Sequence, residues 1–236
     1  MATAGLVAHG LWQAGFVLRR VGRERRHAAV QAWSARVLRA MGIELRLSGT
    51  PRAGVLMVAN HVSWLDITAL HAVAPHIRFV SKSAIAHWPL VGTLARVGGT
   101  LFIERERKRD ALRVVHEVAA ALRTGDTVGV FPEGTTGPGA TLLPFHANLL
   151  QAAITTGTPV QPVVLRYSQP HQAFSEAAQY VGDTTLLGSA LRVAGAVGLV
   201  VHVEFLDAEA TADIDRRGLA ARLRERISAR LQVPRG

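Results

Sequence analysis

The 236 residues contain no cysteine. That absence excludes disulfides, thiolate nucleophiles and thiolate-held iron–sulfur clusters, and it is compatible with the cytoplasm. Aromatic residues make up only 6%, and neither an aromatic RNA-binding signature nor a ligand-spaced zinc pattern is present, so no nucleic acid is expected as a partner. No Gly-x-Ser-x-Gly elbow occurs, and no Gly-Lys-Ser/Thr follows a glycine-rich turn, so the usual serine-hydrolase and nucleotide loops are missing. Repeats, low-complexity tracts and long linkers are likewise lacking. Acidic residues are scarce: 17 Asp plus Glu face 27 Lys plus Arg, a net charge of +10. Charge of that sign seeks an anionic surface, and with nucleic acid set aside an acidic bilayer face is the expected one.

What is present is apolar material, 49% of residues, enough for one sizeable core. Residues 2–18 are mostly apolar and are followed by Arg19, Arg20, Arg23, Arg25 and Arg26. The charge comes after the apolar part, which is not the order of a secretory signal. The stretch is short of the roughly 20 residues that span a bilayer, so an interfacial helix is expected. Next, Val30, Trp33, Val37 and Met41 recur at helical spacing with Arg36 and Arg39 off the stripe. Residues 1–42 thus read as a pair of membrane-docking amphipathic helices and residues 43–236 as the catalytic domain. Were the first helix to span, the Arg cluster would keep that domain cytoplasmic, and the expected location is the cytoplasmic face of the inner membrane, peripheral or monotopic.

Beyond residue 42, strands are expected at 43–47, 55–59, 77–81, 99–104, 127–131, 160–167 and 199–206. Helices are expected at 63–73, from 87, and at 110–123, 146–156, 184–195 and 212–231. Alternation of this kind gives an α/β fold: a central mixed, largely parallel sheet flanked by helices, with sites at strand ends. Pro162 falls inside one expected strand, which calls for an edge or bulge position there.

At the end of the strand at 55–59 comes Asn-His-Val-Ser-Trp-Leu-Asp, residues 60–66. On a continuous helix His61 and Asp66 would point roughly 140° apart. With Ser63 as helix cap, His61 lies on the turn and Asp66 at the third helical position, where imidazole and carboxylate can meet. Such a pair is a base with its orienter, suited to taking a proton from an alcohol. The same spacing serves as a plain capping box and arises by chance roughly 0.3 times in this composition.

Three further blocks follow in order: Gly98-Gly99-Thr100-Leu101-Phe102-Ile103-Glu104-Arg105, Val130-Phe131-Pro132-Glu133-Gly134-Thr135, and Val160-Gln161-Pro162-Val163. Together with residues 60–66 they resemble the four-block signature of the glycerolipid acyltransferases, the lysophosphatidic acid acyltransferase family, across roughly residues 43–206. The resemblance implies that His61 and Asp66 are the catalytic pair. It implies that Arg105, with Glu133, Gly134 and the adjoining Thr135, belongs to the acceptor site, and that Pro162 shapes the pocket. It also implies the family fold, no bound cofactor, an acyl carrier protein or coenzyme A thioester as co-substrate, and a lysolipid acceptor. Two positions depart from the commonest pattern: Thr136 stands where an Arg is usual, and His146 where a basic residue follows the Pro-Phe pair. Both reduce positive charge near a phosphate site and leave room for a lyso-ornithine lipid, whose acyltransferases belong to the same family. Two alternatives stay open: Ser63 as an acyl-serine nucleophile of a lipid hydrolase or ping-pong transferase, and a non-catalytic basic protein that binds membrane or nucleic acid.

Overall fold

The computed structural model describes residues 22–74, 76–88, 91–103 and 108–232. The apolar stretch at 2–18, which carries the first expected docking helix, lies outside them, as does Arg105.

Helix α1 (Arg23–Ala40) leads into strand β1 (Glu44–Ser48), then β2 (Leu56–Ala59), α2 (Leu65–Val73) and β3 (Ile77–Lys82). Two short helices, α3 (Ser83–Ala86) and α4 (Val91–Val97), precede β4 (Leu101–Ile103). The sequence had indicated one helix here, starting at residue 87. The two lie so close that a Cβ on Gly92 would come within 2.3 Å of the Ala86 carbonyl oxygen, so only glycine fits. There follow α5 (Lys108–Arg123), β5 (Thr127–Val130), α6 (Leu150–Thr156), β6 (Val160–Ser168), α7 (Leu186–Ala194), β7 (Val200–Phe205) and α8 (Arg216–Leu231).

The seven strands form one sheet in the order β1-β7-β6-β2-β5-β3-β4. All pairings are parallel except β6 with β7, which gives the expected mixed, largely parallel sheet. Its centre is β2, between β5 and β6. Each β2 side chain is buried, as two-sided covering requires. Met57 and Ala59 face a layer made by α1, α2 and α7, together with Val37, Leu38, Leu65, Leu70 and Val193. Leu56 and Val58, both at 0% exposure, face the opposite layer of α5, α6 and α8. Burying each such side chain stabilises the fold by about 1.5–3 kcal/mol relative to leaving it exposed.

One sequence expectation shifts in register, and one expected apolar stripe keeps its register. On α5, Leu112 was expected inward; it is exposed, because it lies roughly 120° around the axis from Val118, the centre of the buried stripe. On α1 the apolar stripe of Val37, Leu38 and Met41 is buried within the protein, leaving Arg25, Arg36 and Arg39 outward.

Candidate functional site

Strand β2 ends at Ala59, and the next residue fixes the geometry of the turn. Asn60 is 1% exposed, its Nδ2 donates to the Leu165 carbonyl and its Oδ1 accepts the Leu165 amide, both at 2.8 Å. The side chain thereby prolongs the β2–β6 pairing beyond the strand and sends His61 out at its carboxyl end. Helix α2 begins only at Leu65, with Trp64 in the capping position and no side-chain cap. The expected Ser63 cap is therefore absent: Ser63 is fully buried and its Oγ has no hydrogen-bond partner. The carboxylate of Asp66 takes over, accepting the amides of Val62 at 2.7 Å and Ser63 at 2.9 Å on Oδ2.

That same oxygen accepts Nδ1 of His61 at 2.8 Å, so the pair inferred from spacing does meet. Oδ1 accepts the Tyr167 hydroxyl at 2.7 Å. Asp66 is at 0% exposure, and four donors compensate its loss of water. Burial raises the Tyr167 phenol well above its ordinary value, helped by the charge and hydrogen bond of Asp66, so it stays a donor. The His61 side chain is 18% exposed, and its Nε2 meets no protein partner among the described residues. Its ring stacks on Phe131, 4.0 Å between centroids and 12° between planes, and Phe131 in turn stacks parallel to Phe79. Gly129 makes room for that ring, since a Cβ there would fall 2.8 Å from Phe79.

Glu133 reaches the turn from the loop after β5. Its Oε1 accepts the His61 amide at 2.7 Å and its Oε2 the Leu143 amide at 2.8 Å. The His61 carbonyl accepts the amide of Gly137 at 2.8 Å, so this loop grips the backbone of His61 from both sides. Burial pushes the Glu133 carboxyl up, against the opposing pull of those two amides and of His61. Gly134, at φ 72°, turns the chain where a side chain would be strained, and its amide bonds the Phe131 carbonyl. Thr135 is exposed beside it. Thr136 donates its hydroxyl to the Tyr180 carbonyl, and the Tyr180 amide bonds the Val62 carbonyl at 3.0 Å, which ties the segment before α7 to the turn.

Pro162 lies in β6, which is flanked by β2 and β7, so the expected edge position is not what accommodates it. It sits where the β6–β7 ladder ends, one residue before the Val163–Phe205 pair. The Leu206 amide donates to its carbonyl at 3.0 Å, and the Leu206 carbonyl, left without an amide from proline, takes Nε2 of Gln161 at 3.1 Å. Lys82, at the end of β3, is exposed. No group of His, Asp and Glu arranged to hold a metal ion occurs among the described residues.

The structure thus brings His61, Asp66, Glu133 and Gly134 together at the carboxyl ends of β2 and β5. Sequence reasoning missed Asn60, Phe131 and Tyr167. Tyr167 had a readable signal: it shares a strand face with Val163 and Leu165, and a buried tyrosine needs a partner for its hydroxyl.

Residues 43–166 match the Acyltransferase family. The chain is also 37% identical over 233 residues to the lyso-ornithine lipid O-acyltransferase of Pseudomonas aeruginosa, covering 94% of this chain and 88% of that one. The chain belongs to the acyltransferase family. A second relative, the 1-acyl-sn-glycerol-3-phosphate acyltransferase of Neisseria meningitidis, is likewise 37% identical, over 87% of this chain and 82% of its own. The fold of this acyltransferase superposes on the 1-acyl-sn-glycerophosphate acyltransferase PlsC of Thermotoga maritima with a TM-score of 0.69. That likeness spans 98% of this chain and 95% of the other, at 19% identity. The acyltransferase is thus an enzyme of O-acyl transfer, and a non-catalytic binding protein is excluded as its class.

Proposed function

We propose that the enzyme moves a fatty acyl group from the thioester of an acyl carrier protein or coenzyme A to the hydroxyl of a lysolipid, with His61 as general base. The observation that carries this reading is the His61 Nδ1 contact with Asp66 at 2.8 Å, which leaves Nε2 as the nitrogen toward solvent. Nε2 takes the proton of the acceptor hydroxyl as its oxygen attacks the thioester carbonyl carbon. The new C–O bond forms, the C–S bond breaks, and the departing thiolate receives the proton from the imidazolium. Asp66 fixes the tautomer and stabilises the imidazolium while it exists. None of the four donors to Asp66 is a permanent cation, so its charge stays available to His61. Glu133, which holds the His61 amide, belongs to the acceptor site with Gly134, Thr135 and Arg105, and Pro162 shapes the pocket. The alternative of Ser63 as nucleophile finds no support in a hydroxyl that is buried and touches no base.

The acceptor favoured is a lyso-ornithine lipid. Thr136 turns its hydroxyl to a protein carbonyl, and His146 is exposed, so neither adds a fixed cation for a phosphate. The Pseudomonas relative carries that acceptor in its name, and the Neisseria relative, with its glycerol phosphate, keeps lysophosphatidic acid as the second reading. Purified enzyme given acyl carrier protein or coenzyme A thioesters and each lysolipid, with products read by mass spectrometry, tests both. Acylation of lyso-ornithine lipid at least ten times faster is expected. Faster acylation of lysophosphatidic acid reverses the acceptor, and no transfer to either refutes the proposal.

A further inference from the structure

Helix α7 turns apolar side chains to solvent. Leu187 is 70% exposed and Leu191, one turn on, 66%; Val197 beyond the helix is 82% exposed and Val181 before it 37%. Leu187 and Leu191, four residues apart on the helix, are neighbours on its surface, and exposed apolar side chains grouped in this way mark an interaction site. Residues 184–200 hold a single charged side chain, Arg192. The helix is tied to the turn by Trp64, whose Nε1 donates to Ser189 Oγ at 3.1 Å, and to the segment before it by Arg192, which donates to the Gln179 carbonyl at 2.6 Å. Tyr180, just before it, is bonded to Val62. The apolar face therefore lies within one layer of the turn that carries His61.

We infer that this face of α7 is a bilayer contact, placed to receive a lipid acceptor beside His61. The inference rests on the reading of the acceptor as a membrane lipid. Charge supports the bilayer over another protein face. The layer that contains α7 also contains α1 and α2, and these helices together carry six arginines against two carboxylates, Glu24 and the buried Asp66; Arg23 is committed to Asp126, which leaves five outside that ion pair. On α1 the apolar stripe is already buried in the core, so that helix offers arginines such as Arg25, Arg36 and Arg39 to anionic headgroups. Helix α7 offers the leucines that enter below them.

The absence of cysteine allows a direct test, because a Leu187→Cys variant carries one thiol for an environment-sensitive fluorophore. On adding phosphatidylglycerol/phosphatidylcholine vesicles, emission at position 187 is expected to rise at least twofold and to be quenched by doxyl-labelled lipid. The same label at Arg217→Cys, on exposed α8 of the opposite layer, should not respond. Overturning results are silence at 187 with protein on the vesicles, an equal response at 217, no vesicle binding, or blue-shifted emission before vesicles are added. That last result would show the face covered by the segment at 2–18 or by a second copy. Since this readout needs no turnover, its failure is distinct from failure of the acyl-transfer reading. A Leu187→Glu/Leu191→Glu variant should show KM raised at least fivefold for vesicle-embedded lysolipid and unchanged kcat/KM for a monomeric short-chain one; equal changes for both count against the contact.

Discussion

Asp66 and Asp126 occupy opposite ends of the same parallel strands, and both are nearly out of solvent, at 0% and 4% exposure. Asp126, at the amino end of β5, is bonded to Arg78 at 2.7 Å and to Arg23 of α1. Burial alone would raise its pKa, and the hydrogen bonds and charges of the two arginines outweigh this and hold it below its usual value. Asp66, at the carboxyl end of β2, has two amides, a phenol and an imidazole instead. A carboxylate neutralised by permanent cations fastens one element to another, here α1 to the sheet. A carboxylate held by neutral donors keeps its charge in reserve for a proton arriving on its histidine. Equal burial thus separates a clamp from a partner in catalysis through the identity of the donors alone.

Substitutions at the two ends should accordingly fail in different ways. Asp66→Asn removes the charge that favours the imidazolium and disturbs the tautomer, so kcat should fall by about 10²- to 10⁴-fold in an acyl-transfer assay. Arg78→Met leaves Asp126 half-paired. Because Arg78 is partly exposed and Arg23 remains, the loss should be about 2 kcal/mol of stability, read by urea titration, with kcat/KM unchanged at a temperature where the variant is folded. A reversal of these two outcomes would break the contrast.

Tyr167→Phe sharpens it further. The variant strips one donor from Asp66 without changing the charge, and about a tenfold drop in kcat at constant KM is expected, with roughly 1–2 kcal/mol of stability lost. The last effect concerns acid and leaves catalysis aside. Burial lowers the pKa of His71 to about 4, with His27 adding to it. Burial likewise lowers His27 to about 4, aided by His76, Arg23 and Arg26 and opposed by Asp126. Between pH 6.5 and 4 the unfolded chain therefore binds more protons than the folded one, and stability falls as pH drops through that window. By pH 5 each of the two histidines should account for about 2 kcal/mol of lost stability, seen as a lower Tm, and His71→Gln should flatten the slope.

Much of this architecture was legible because period-two and helical apolar patterns announce strands and helices, and because strand-to-helix turns rich in polar residues mark sites. His61 meeting Asp66 followed from their spacing together with a helix that starts after His61. The mechanism of that start was different: the sequence pointed to Ser63 as the cap, whereas Asp66 itself satisfies the amides, since a carboxylate is the stronger acceptor. Tyr167, about a hundred residues away from Asp66, was invisible because only the parallel pairing of β2 with β6 brings the two together. Pro162 read as an edge or bulge residue because local rules do not foresee a neighbouring side chain, Gln161, standing in for its missing amide.

The central claim is that the nitrogen of His61 not bound to Asp66 moves the proton in acyl transfer. Its most direct test is the single-turnover rate of His61→Ala with saturating thioester and lysolipid, alongside the Tm of the same sample. A rate lowered about 10²- to 10⁴-fold with Tm within a few degrees of the parent is expected; a near-parental rate would contradict the account.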